Sequence, residues 1–194
     1  MTQEAIAAAK ADIEATDDLL ARAMKLAGLV TTLFAARGFP LVVVGGSAVE
    51  FYTEGGYMSG DIDFCRRALK GPSPRTIEEV MSLLGGCGMG RSWQVCGLFV
   101  DLLGIIECES NKDYTELETA YGKIKLIPPE LALVERVLYA RENAECVASA
   151  RQMMVVALND SAFDWLEAER LAALPDFDVS EELKRLKAEV RGDG

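Results

Sequence analysis

The chain has 194 residues, half of them hydrophobic, with 20 Lys and Arg against 31 Asp and Glu and a formal net charge of -11. That length supports one compact core with a small appended unit, and the acidic balance repels polyphosphate backbones, which excludes sequence-independent binding to nucleic acid. His is absent and the five Cys contain no Cys-x-x-Cys pair, so no zinc site is readable and a reducing compartment fits best.

The first residues, MTQEAIAAAKADIEATDD, carry early acids and no sustained apolar stretch. They predict neither a signal peptide nor a membrane anchor, and hence a cytoplasmic protein with no membrane partner. From Thr16 to Gly38, residues Leu20, Ala23, Ala27, Val30 and Phe34 recur three and four apart and line one face of a helix. Asp17 and Asp18 suit its N-terminal end, and Gly38 followed by Pro40 stops it. LVVV at 41–44 is a β-branched run too short for a helix, which reads as a strand buried on both faces. After Gly45 and Gly46, SAVEFYTE predicts a short helix with Ser47 as its N-cap.

DIDF alternates polar and apolar residues, predicting a strand that buries Ile62 and Phe64 and presents Asp61 and Asp63 on the opposite face. Arg66, Arg67, Lys70 and Arg75 cluster nearby and read as a solvated face. Ser73 to Leu84 predicts a helix and GGCGMG a flexible link. SWQVCG and LFVDLLGII predict two strands, a hairpin turning near Gly97, with Trp93 and Phe99 as strand core. Tyr121 to Ile127 predicts an edge strand. From Pro128 onward the pattern is helical: Leu131, Val134 and Leu138, then Cys146, Ala150 and Met154, then a helix opened by Ser161 with Asp164, then Ser180 to Val190. The expected organisation is an N-terminal helix or helices over 1–38, an α/β core over 39–127 and a C-terminal helical unit over 128–194.

The stretch GGSAVEFYTEGGYMSGDIDF, residues 45 to 64, combines two devices. A strand ending in Gly45-Gly46-Ser47 passes into a helix, where glycine permits close backbone approach and free amides with the helix dipole attract phosphate. Asp61 and Asp63 stand on one strand face about 7 Å apart at the backbone, near enough to share a divalent cation. Crowded carboxylates raise each other's pKa unless a cation neutralises them, and oxygen-only ligands favour Mg²⁺, with Mn²⁺ the alternative. Asp101 lies in an otherwise apolar run, where an uncompensated charge costs several kcal/mol. It serves either as a third ligand, if its strand lies beside the Asp61/Asp63 strand, or as a structural acid paired with Arg91 or Arg136. Three acids would hold two Mg²⁺ ions, one on a triphosphate and one on an attacking hydroxyl. Cys65 and Cys108 read as core thiols, with no base to activate them.

This order, a hydrophobic strand, GG[S/T], a short helix, Asp-x-Asp and a later Asp in a hydrophobic strand, resembles the nucleotidyltransferase superfamily that includes DNA polymerase β. The GGSA form looks most like the AbiEii-type toxin-related branch and its short minimal relatives. The resemblance covers about residues 39 to 127 and implies a mixed sheet with flanking helices. It implies phosphate binding at Gly45, Gly46 and Ser47, and catalytic metal ligation by Asp61, Asp63 and Asp101. The family's PEDL element with its Asp-Arg pair corresponds to PPEL and Glu135-Arg136, making Arg136 a candidate for the nucleotide or an ion pair. Two departures stand out: Leu103 occupies the place of a Lys in those toxins, and ECVASARQMM offers little acidity beyond Glu145. The function implied is Mg²⁺-dependent transfer of a nucleotidyl group from a nucleoside triphosphate such as ATP to a hydroxyl on a protein, RNA or small molecule, with a partner protein or antitoxin in the toxin-related case. The alternative is a catalytically silent nucleotide-binding or protein-interaction module.

Overall fold

A computed structural model describes residues 1–108, 110–144 and 146–192. Two helices precede the sheet, α1 (Gln3–Glu14) and α2 (Leu19–Ala35). Asp18 caps α2 by accepting the Ala21 N–H at 2.7 Å. The periodic residues Ala23, Ala27, Val30 and Phe34 are all buried, as their spacing requires.

The strands are β1 (Leu41–Val43), β2 (Asp61–Arg66), β3 (Cys87–Met89), β4 (Ser92–Val95), β5 (Leu98–Ile105), β6 (Thr115–Thr119) and β7 (Gly122–Leu126). They form one mixed sheet in the order β3-β4-β5-β2-β1-β7-β6. β2 pairs parallel with β5 and β1 parallel with β7, while the remaining neighbours are antiparallel. The three residues of β1 are buried throughout, because strands flank them and helices cover them. β2 alternates as its sequence dictates, with Ile62 and Phe64 turned into the core.

Short helices fill the connections: α3 (Gly45–Tyr52) between β1 and β2, and α4 (Pro74–Leu83), capped by Ser73, between β2 and β3. The sheet is followed by α5 (Pro129–Glu142), α6 (Cys146–Asn159), α7 (Trp165–Ala172) and α8 (Ser180–Arg191). α5 and α6 pack on α3. Buried Glu130 of α5 accepts the Asp164 N–H at 2.9 Å, fastening the start of α7. One continuous cluster of buried side chains runs from Ile6 in α1 to Leu183 in α8. No helix among the described residues is long and apolar enough to cross a membrane.

Several local expectations are corrected. The residue preceding α3 is Val44, and Ser47 lies inside the helix, so Ser47 is not the N-cap. The GGCGMG link contains β3, which pairs with β4 and forms one sheet edge. The strand at 122–126 is interior, between β1 and β6; the edge is β6, whose polar sequence TELET hides its pairing. α7 starts at Trp165, capped by Asp164 through the Leu166 and Glu167 amides, and not at Ser161. Phe99 is 55% exposed and is not core, whereas Trp93 is buried. Glu145 lies outside the described residues.

Candidate active site

The parallel β2–β5 pairing aligns Asp63 with Asp101 and Asp61 with Phe99. Carboxylate oxygens of Asp61, Asp63 and Asp101 lie within 4.8 Å of one another, a spacing that suits ligation of a divalent cation. Asp63 bears most of the resulting strain. Burial, then the charges of Asp61 and Asp101, push its carboxyl up to about 7, with Arg136 acting in the opposite direction. An oxygen-only cluster that pays this electrostatic penalty fits a hard cation, whose charge would relieve it. Among the described residues no salt bridge joins Asp101 to Arg91 or Arg136.

Gly45 and Gly46 open α3. Gly45 adopts φ +65, and a Cβ there would overlap Asp63 Oδ2, so both conformation and space demand glycine. The first bond back along this segment runs from the Ala48 N–H to the Val44 C=O at 3.2 Å. The amides of Gly45, Gly46 and Ser47 therefore precede the helical ladder, with no side-chain cap to occupy them. They form the positive end of α3 beside Asp63. The Ser47 hydroxyl is buried and already engaged: it donates to the Val44 C=O at 2.9 Å and accepts the Asp63 N–H at 3.0 Å. In this arrangement its visible work is to fasten β2 to the start of α3.

A cleft of about 590 Å³ opens between the sheet and the helices that follow it, lined by Gly45, Asp63, Leu103, Glu135 and Arg136 among others. The Arg136 Nε is buried with no hydrogen-bond partner, and its guanidinium lies 4.8 Å from the centre of the Tyr139 ring. A partly buried guanidinium with an unsatisfied donor at a cleft wall is an anion-binding feature. Glu135 faces the same cleft. Burial pushes its carboxyl up to about 7, with Arg136 lowering it and Asp63 raising it. Cys65 and Cys108 also line the cleft, and burial raises both thiols, which keeps them protonated and unreactive as their apolar context suggests.

Sequence patterns missed one supporting group. Glu50, on α3 and buried, accepts the Ser59 N–H at 2.8 Å, and the Ser59 hydroxyl donates to Asp61 Oδ1 at 3.1 Å. Burial raises the Glu50 carboxyl, and the Ser59 amide partly offsets this. Glu50 thereby holds the loop that delivers Asp61. A charged residue in the middle of the apolar helix AVEFY was the available signal. Glu50→Ala is expected to lower stability by about 1 kcal/mol in urea unfolding, because it leaves the part-buried Ser59 amide without its acceptor and loosens the loop that carries Asp61.

No protein-family model matches this sequence, and no curated protein matches it. Solved structures do resemble the chain. The solution structure of the antibiotic-resistance factor ANT(2'')-Ia has a TM-score of 0.54 at 16% identity, over 88% of this chain and 91% of that one. A crystal structure of ANT(2'')-Ia in complex with adenylyl-2''-tobramycin gives 0.52 at 16% identity, over 88% and 97%. An antigenic nucleotidyltransferase-like protein from Paracoccidioides brasiliensis gives 0.53 at 14% identity, over 84% and 92%. At such identities the shared property is architecture: the chain has a nucleotidyltransferase-like fold, with its three clustered aspartates on adjacent strands of the sheet.

Proposed function

We propose that this protein is a Mg²⁺-dependent nucleotidyltransferase that moves a nucleotidyl group from a nucleoside triphosphate, such as ATP, to a hydroxyl acceptor. The observation that carries the reading is the three-carboxylate cluster set beside the uncapped amides of α3. Asp61, Asp63 and Asp101 would hold the metal, with Mn²⁺ as the substitute. The amides of Gly45, Gly46 and Ser47 would bind phosphate oxygens, and Arg136 would offer its free Nε from the opposite wall. The segment 39–127 then serves as the catalytic core and 128–194 as the wall that closes the cleft over the nucleotide.

When bound, the metal supplies charge neutralisation on the phosphates and acidification of the acceptor hydroxyl. The protein's own groups orient the reactants. The acceptor oxygen forms a bond to the α-phosphorus while the bond to the bridging oxygen breaks, its electron pair leaving with pyrophosphate. The acceptor's proton passes to Asp101, the carboxylate on the far side of Asp63 from α3. Resemblance to the toxin-related branch extends this reading to a partner protein of the antitoxin kind.

Calorimetric titration of each of the four ribonucleoside triphosphates, with and without Mg²⁺, tests the proposal. One nucleotide is expected to bind only with Mg²⁺, and Arg136→Ala to weaken it by ~10-fold, the worth of one charge-assisted contact. Equal binding without metal, or none, would refute it. A second reading, nucleotide binding without transfer, has one residue in its favour: exposed Leu103 lies in the cleft at the position where the resembling toxins carry a Lys. Magnesium-dependent binding with no turnover on any acceptor would select it.

A further inference from the structure

The sheet face that carries the three aspartates continues, uncovered, onto β5, β4 and β3. Register places the side chains on this face in two cross-strand rows. One row runs Asp61, Phe99, Gln94, Cys87, and the other runs Asp63, Asp101, Ser92, Met89. Paired residues on adjacent strands point to the same side, with neighbouring strands about 4.8 Å apart, so Phe99 stands directly beside Asp61. The alternate residues, Trp93, Val95 and Val100, are buried on the other face, which is where the core lies. What remains open is a neutral surface: Phe99 is 55% exposed and Met89 83% exposed, with Ser92, Gln94 and Cys87 between and beside them. None of the five is charged, in a protein where 26% of residues are. The charges bordering it are Asp61 and Asp101, the register partners of Phe99 and Ser92, which the metal would neutralise, and Arg91 at the tip of the β3–β4 hairpin.

The rim beside Asp61 extends the same chemistry. A shallow depression of about 50 Å³ brings Phe99 together with Leu19 and Met58, both about half exposed, around Asp61 and Ser59. Exposed large apolar side chains gathered at one place mark a binding surface.

The sheet order says what binds there. α3 and its phosphate-binding amides follow β1, on one side of β2, whereas the neutral surface lies on β5, β4 and β3, on the other. Displacement at phosphorus is in line, so the attacking oxygen enters opposite the departing pyrophosphate. With the triphosphate on the β1 side, the acceptor must lie on the β5 side. We infer that the Phe99–Met89 surface is the acceptor seat, and that its acceptor is a neutral compound bearing an aromatic or aliphatic group next to its hydroxyl. This rests on the nucleotidyltransferase reading and narrows it. A nucleic-acid end would find no cation on these five side chains, and a polycationic amino-sugar would find no anion on them, the neighbouring acids being committed to the metal in this reading.

The test uses the full chain labelled with ¹³C at its methionine methyls. The probe is phenyl β-D-glucopyranoside. Methyl β-D-glucopyranoside presents the same sugar hydroxyls without the ring, and tobramycin is the polycationic control. The phenyl glycoside is expected to shift the Met58 and Met89 signals in a saturable way while the buried Met81, Met153 and Met154 stay put. The methyl glycoside should bind at least ~10-fold more weakly, as loss of a buried ring implies. Phe99→Ser should weaken the phenyl glycoside by a similar factor and Phe99→Tyr should restore it, with nucleotide titration unchanged in both. Equal shifts from the two glycosides, no effect of Phe99→Ser, or stronger shifts from tobramycin would overturn the inference. Because this readout needs no nucleotide, nucleotide binding with a silent surface sinks the acceptor seat alone. A responsive surface in a chain that binds no nucleotide sinks the transferase reading and with it the acceptor role.

Discussion

Asp63→Asn is expected to remove Mg²⁺-dependent nucleotide binding and lower transfer by on the order of 10³-fold, the rate equivalent of several kcal/mol of lost charge stabilisation. The same substitution should raise, not lower, the thermal midpoint of the metal-free protein at pH 8. The reason lies in the proton balance. Asp63 sits at about 7 in the fold against an ordinary 3.8, driven first by burial and then by Asp61 and Asp101. Between those values the folded protein keeps a proton that the unfolded chain has released. Stability is therefore full below about 3.8 and declines as pH rises through about 7. An amide cannot ionise, so Asn escapes a penalty that, discounted for water access, is on the order of 2 kcal/mol. Adding Mg²⁺ should reverse the ranking, since only the wild type gains binding energy from the metal. Scanning calorimetry of both proteins at pH 5 and pH 8, with EDTA and with Mg²⁺, checks all four corners. A lower midpoint for the variant at pH 8 in EDTA would contradict the account.

Gly45→Val is expected to reproduce the binding loss of Asp63→Asn with the opposite effect on stability. A β-branched residue at φ +65 costs about 1 to 3 kcal/mol, and the new Cβ would overlap Asp63 Oδ2 and drive the carboxylate from the cluster. Urea unfolding should therefore show a loss of ~2 kcal/mol or more, and calorimetry should show no Mg²⁺-dependent nucleotide binding. Two neighbours calibrate the result. Gly46→Ala meets Ser59 Oγ at 2.8 Å, the end of a short side chain that can turn aside, so it should chiefly disturb the Ser59–Asp61 hydrogen bond. Gly60→Ala, with nothing within 4 Å of its added carbon, should be nearly silent. If Gly60→Ala proved as damaging as Gly45→Val, chain flexibility rather than the Asp63 contact would be responsible.

Local chemistry in the chain was enough for β1, β2, β5 and α2, and for the turn near Gly97, because each has a period or a breaker that its own residues specify. Cys96 and Gly97 both take positive φ there, closing the β4–β5 hairpin. It was also enough to single out Asp61, Asp63 and Asp101, which the fold brings together. Pairing decided the rest. TELET and CGM lack an apolar stripe and become strands only because β7 and β4 offer them ladders. The hydroxyl of Ser47 turns inward because the Asp63 amide lies above it, a neighbour 16 positions along the chain.

What the sequence by itself determined is the set of groups: three carboxylates, a glycine turn, an Arg in a late helix and an acid inside an apolar one. What only the tertiary structure decided is which of them meet. Parallel pairing of β2 with β5 brings Asp63 level with Asp101, and it also turns Phe99, one more apolar residue of a strand by its local pattern, onto the open face beside Asp61. A strand's period states that alternate residues face opposite ways, but which side is covered depends on where the helices pack, and that is a property of the whole chain.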